Sequence, residues 1–105
     1  MSISAAEAER IAATGLTFGR DRFTVKLTDG RHLIVPLDWY PRLQLASSRE
    51  RANWRLAGAG AGLHWPDIEE DISVASLLAG RRSMESDKSF AKWLADRKKK
   101  VRKSA

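Results

Sequence analysis

His64 stands within eight residues of four carboxylates, Asp67, Glu69, Glu70 and Asp71, the one place in the sequence where a metal could be held or a proton moved. A metal centre needs three or more converging ligands, and the other histidine, His32, falls on a separate hairpin. The simpler reading places His64 in a strand beside the core residue Trp65. The acids then pair with Arg42, Arg49, Arg51 and Arg55, or favour the start of a following helix. The serines have no histidine–carboxylate pair at a recognisable spacing, and cysteine is absent, which removes thiolate chemistry and disulfides. Gly58, Gly60 and Gly62 alternate with alanines, but no Gly-Lys-Ser/Thr follows and no long helix starts there to aim its amides at a phosphate. A tight bend with close strand approach accounts for them better. The residues therefore predict no catalytic set, no cofactor and no metal site, and hence a protein that is not an enzyme.

What remains is binding chemistry, and it falls in two places. Trp39, Tyr40, Trp54 and Trp65 lie within 27 residues, interleaved with arginines. Such rings either fill a small core or anchor an interface, and the Trp39-Tyr40-Pro41-Arg42 segment would set large rings on a short surface turn. Farther on, Phe90, Trp93, Leu94 and Val101 share one narrow helical stripe. Trp39, Tyr40, Arg42, Phe90, Trp93 and Leu94 are accordingly the candidate contacts for a protein partner, with a homodimer as one form of it.

The net charge of +6 comes from 19 basic and 13 acidic residues. Six of the basic ones, Arg97, Lys98, Lys99, Lys100, Arg102 and Lys103, follow the last acid, Asp96, so residues 1–96 balance to zero. Only this tail has an electrostatic reason to meet phosphate, and non-specific nucleic-acid binding through it is the alternative function. A solvated end and an acidic partner surface are its other readings. No apolar run approaches the roughly 18 residues of a membrane span, and the first 15 residues lack the apolar stretch of a signal peptide, so the expected location is the cytoplasm.

The elements that must position these residues are those of a small α+β domain. A hairpin is predicted over about 22–36, in an antiparallel or mixed sheet, because Phe23, Val25 and Leu27 alternate with polar residues before Asp29-Gly30. A two-residue turn would strand Leu33 and Val35 on the polar face. A type I turn with Gly30 in a bulge puts them beside Val25 and Leu27, so burial selects the bulge. Leu16–Phe18 reads as a short strand. Short helices are expected over about 38–45, 48–54 and 74–79, the second opened by the capping box Ser47-Ser-Arg-Glu50 and the third by Ser73. A last helix spans about 87–99. Ala5–Ala13 has helix-favouring composition with Gly15 as its stop, which gives a division into a weak N-terminal helix (1–15), one domain (16–80), and a linker, amphipathic helix and basic tail (81–105).

Phe23–Leu43, then Arg51-Ala-Asn-Trp-Arg-Leu, then Gly62-Leu-His-Trp-Pro-Asp-Ile-Glu-Glu-Asp-Ile-Ser-Val, and finally Leu77-Leu-Ala-Gly80 resemble, in order, the signatures of the domain-of-unknown-function family 2442 over about residues 16–80. The resemblance implies a small bacterial α+β domain without established activity, whose relatives include antitoxin-like partners of another small protein. Some relatives carry a downstream helix-turn-helix unit. The 25 residues after Gly80 allow one helix and a tail, too little for such a unit.

Overall fold

The computed structural model describes residues 11–104. Two three-stranded antiparallel sheets pack against each other. The first is β1 (Ala13–Phe18), β2 (Arg22–Leu27) and β3 (His32–Pro36), in that order; the second is β4 (Arg55–Ala57), β5 (Gly62–Trp65) and β6 (Glu70–Ser73). Between them run a 3₁₀ turn (Leu37–Trp39) and two short helices, α1 (Pro41–Leu45) and α2 (Ser48–Ala52). Helix α3 (Val74–Leu78) follows β6, and α4 (Asp87–Ser104) closes the described chain.

The hairpin takes the bulged register. Phe23 lies opposite Val35 and Val25 opposite Leu33, Gly30 has φ +90°, and the Leu27 amide donates to the Arg31 carbonyl at 2.9 Å. Phe23, Val25, Leu27 and Val35 are buried while Ile34, on the opposite face, is exposed. The expected 38–45 helix is broken at Tyr40, whose non-helical backbone (φ −131°, ψ 88°) separates the 3₁₀ turn from α1, with Pro41 at the helix start. The break turns Tyr40 inward, where its hydroxyl donates to the Arg81 carbonyl at 3.0 Å. Most of the expected Ala5–Ala13 helix lies outside the described residues. Its end is corrected: Ala13 and Gly15 belong to β1, and Ala13 is buried.

The core joins the sheets through rings. Phe18 contacts both Phe23 (centroids 5.8 Å apart) and Trp65 (6.4 Å), and Phe23 meets Tyr40 edge-on at 6.0 Å. Trp65 is fully buried, and its indole N–H donates to the Arg51 carbonyl at 3.1 Å. No buried side-chain polar atom among the described residues lacks a partner.

The glycine-rich segment makes the predicted bend. Gly58 and Gly60 have φ +55° and +89°, and buried Gly60 sits so close to β1 that a Cβ there would lie 2.7 Å from the Ala13 carbonyl oxygen. Helix α3 ends in a Schellman motif: the Gly80 amide donates to Leu77 and the Arg81 amide to Ser76, with Gly80 left-handed at φ +73°. Residues 81–86 then run without regular structure to α4.

Candidate functional site

Two short polar elements carry the parts of the site. Helix α2 begins as the sequence predicts: Ser47 Oγ accepts from the Glu50 amide at 3.1 Å and Glu50 Oε1 accepts from the Ser47 amide at 2.8 Å. The capping carboxylate also accepts two hydrogen bonds, at 2.8 and 3.0 Å, from the guanidinium of Arg97 on α4. Residues forty-seven apart in sequence are thus joined through a group whose local role alone is visible in the sequence.

Arg42, on α1, is the second part. Its Nε donates to both oxygens of Glu85 at 2.9 Å, and Nη2 donates to Glu85 Oε2 as well. Nη1 donates to the carbonyls of Ile68 (2.9 Å) and Glu69 (3.3 Å). Both side chains are largely buried. One guanidinium therefore ties α1, the turn before β6 and the linker to α4. Its planar fork of donors is what permits this, and a lysine ammonium lacks it.

The two arginines clamp Trp93 of α4. The Arg42 guanidinium carbon is 5.3 Å and that of Arg97 4.6 Å from its ring centre, while Phe90 stacks on Trp93 at 5.6 Å. Trp93 is the member of the α4 stripe that packs against the core; Phe90 and Leu94 are half-buried beside it. On the linker, Arg82 lies 5.1 Å over half-buried Trp39, and the Ser83 amide donates to the Trp39 carbonyl at 3.0 Å. Long side chains carry the contacts that reach α4 across this seam, from Arg42 to Trp93 and from Glu50 to Arg97.

A cleft of about 300 Å³ opens beside this seam, lined by Tyr40, Arg42, Glu70, Ser73, Ser76 and Glu85 among others. Glu70 pairs in register with Trp65 and so points to the core face of its sheet. Burial pushes its carboxyl up to about 7, against the opposing pull of Arg42. The carboxylates held by arginine behave oppositely. Arg97 brings Glu50 down to about 2, and Arg42 lowers Glu85.

Of the six candidate partner contacts, Tyr40 lies in the core, Arg42 and Trp93 lie within the seam, and Trp39, Phe90 and Leu94 flank it half-buried. Arg97 is engaged by Glu50; Lys98 and Lys99 are exposed; Lys100, Arg102 and Lys103 lie in α4, which continues to Ser104, beyond the expected end at about 99. His64 Nδ1 lies 2.7 Å from Asp71 Oδ1 on the solvent face of the second sheet, and among the described residues no three His, Cys, Asp or Glu side chains gather as metal ligands. The expected pairing of the nearby acids with arginines is corrected. Asp67 accepts from Asn53 at 2.9 Å, while Arg51 donates to the carbonyls of Leu43 and Gln44 at the end of α1. Strand β6 has no sequence signature, because only Ile72 of its four residues is apolar.

The clamp has an acid dependence with a definite sign. A carboxyl depressed to about 2 from the ordinary 4.5 contributes stability above that ordinary value and loses it as pH falls toward 2. Glu50→Gln, which keeps a side-chain acceptor for the cap, is expected to cost about 1–2 kcal/mol at pH 7. Urea titrations should show the gap between variant and parent closing between pH 4.5 and 2.

A family model described as protein of unknown function (DUF2442) matches residues 13–83. A protein of unknown function from Rhodospirillum rubrum has a similar crystal structure, 27% identical, with a TM-score of 0.63 over 72% of this chain and 94% of that one. An uncharacterised protein from Chromobacterium violaceum, whose structure was solved by NMR, shares the fold at 23% identity, with a TM-score of 0.61 over 77% of this chain and 74% of that one. No curated protein matches. Helix α4 lies beyond the matched segment.

Proposed function

The chain belongs to the DUF2442 family of proteins of unknown function, and from that premise we propose that it is a non-catalytic protein-interaction module whose partner-facing element is the C-terminal arm, residues 81–104. The observation that carries this reading is the construction of the seam. The arm is held by two guanidinium–carboxylate pairs, one clamped tryptophan and the contacts of Arg81, Arg82 and Ser83 with Trp39 and Tyr40, while Phe90 and Leu94 stay half-buried on the α4 stripe. An amphipathic helix so held can trade its intramolecular contacts for a partner groove at small net cost. An antitoxin-like role in a bacterial two-gene pair fits such a module, since the arm would bind a second small protein while the body keeps its own core.

The test is capture from the native host by the full chain and by the full chain carrying Phe90→Ala and Leu94→Ala. The reading expects one protein retained by the parent and at least tenfold less by the variant at equal folded content. Equal retention by both, or no protein retained by either, would contradict it.

The rival reading, nucleic-acid binding by the tail, draws support from the basic residues 97–103 lying on a helix. With Arg97 engaged by Glu50, five tail charges remain for phosphates. Filter binding to duplex DNA should then show a log–log salt slope of about −4.5.

A further inference from the structure

The cleft beside the seam is shared by the body and the linker. Ser83 and Glu85 of the linker line it together with Arg42 and Glu70 of the body, and the Arg42 guanidinium holds the Glu85 carboxylate. We propose that this contact is a proton-operated latch: loss of the Glu70 proton loosens residues 82–85 from the body, and with them α4.

The charged and titratable groups around Glu70 come from every packed element. Tyr40 and Arg42 come from the segment before and within α1, Glu69 and Asp71 from the neighbouring turn and strand, and Arg82 and Glu85 from the linker. Two of the influences that keep the proton on Glu70 belong wholly or partly to the docked linker. Burial, in a cleft whose lining the linker shares, is the largest cause, and the negative charge of Glu85 adds to it. Arg42, which draws the proton off, stays with the body when the linker lifts. Undocking therefore returns the Glu70 carboxyl toward the ordinary carboxylate range. By reciprocity, a linker that favours the protonated carboxyl is itself favoured by it and is weakened as pH rises through about 7. Ionised Glu70 also competes with Glu85 for the same guanidinium. At the acid end the sign reverses, since Glu85 and Glu50 must be ionised to hold their arginines. The arm is thus held most tightly in the mildly acid range.

This device goes beyond the interaction reading. It is tested on the chain alone, so its failure would leave partner binding by the arm standing. The reporter is the Ser83 amide, whose hydrogen bond to the Trp39 carbonyl spans linker and body. Amide hydrogen exchange of the full chain, corrected for intrinsic rates, should show the opening constant at Ser83 rising about 30-fold between pH 5.5 and 8.5, the rise given by a carboxyl at about 7 when docked and near 4.5 when open. In Glu70→Gln the opening constant should stay level across that range and lie close to the parent's low-pH value. An equal rise in the variant, or none in the parent, would overturn the latch. As a check that needs no variant, the Glu70 side-chain carboxyl should titrate in the parent with a midpoint near 7 by carbon NMR, and a midpoint near 4.5 would overturn it as well.

Discussion

Arg42→Ala is expected to lower stability by about 3–5 kcal/mol, a large share of the roughly 5–15 kcal/mol a domain of this size possesses. The magnitude follows from what is left behind. Glu85 stays largely buried with its arginine gone, the carbonyls of Ile68 and Glu69 lose a donor, and Trp93 loses one side of its clamp. Removing one member of a buried pair costs far more than the pair's net worth, because the other is left unpaired in a poor dielectric. Thermal unfolding should move down by about 12–30 °C. Arg42→Met combined with Glu85→Gln should recover a substantial part of the loss, since no uncompensated charge remains. Arg42→Lys should fall between, keeping the charge without the fork that reaches a carboxylate and two carbonyls together. A double variant no more stable than Arg42→Ala would show that the unpaired Glu85 charge is not the source of the loss.

Gly60→Ala is the second large effect, expected at about 2–4 kcal/mol by urea titration. Its Cβ would sit 2.7 Å from the Ala13 carbonyl oxygen and 3.1 Å from the Ala12 side chain, with φ at +89°. Backbone must move on one side, and the left-handed conformation adds its own strain. The neighbouring Ala59 gives the opposite sign. It is an alanine at φ +56° in the same bend, so Ala59→Gly relieves strain and should leave the protein equally stable or more stable by up to about 1 kcal/mol. A Gly60→Ala loss no larger than that of an exposed loop substitution would mean that the bend does not press on β1.

Features decided by near neighbours are legible in the sequence. The bulged hairpin is one, because a one-residue slip would have exposed Leu33 and Val35 beside Lys26 and Thr24 on the polar face. The Ser47–Glu50 capping box, the Ser73 cap and the Gly80 stop are others, each closed within a few residues. The seam is not of this kind. Nothing local distinguishes Arg42 from Arg49 or Arg55, and Glu85 shows no motif. Their roles arise only when α1, the turn before β6 and the linker converge. Glu70 looks like one of four similar acids until the β5–β6 register turns it to the same face as Trp65 and leaves Asp71 beside His64 in solvent. Likewise Trp39 and Tyr40 are adjacent rings with different fates, because the backbone leaves the helical conformation at Tyr40 itself and breaks the 38–45 helix there.

One assumption supports the arm reading: α4 and its linker open from the body without the body unfolding. Native-state hydrogen exchange of the full chain at pH 7.5 measures this directly by comparing residues 87–99 with strand β2. If the assumption holds, the arm amides open at least a hundredfold more often than those of Phe23–Leu27, and added salt widens the difference by weakening the guanidinium–carboxylate pairs. Equal opening constants in arm and strand, unmoved by salt, would show that α4 is an integral part of the core and would contradict the account.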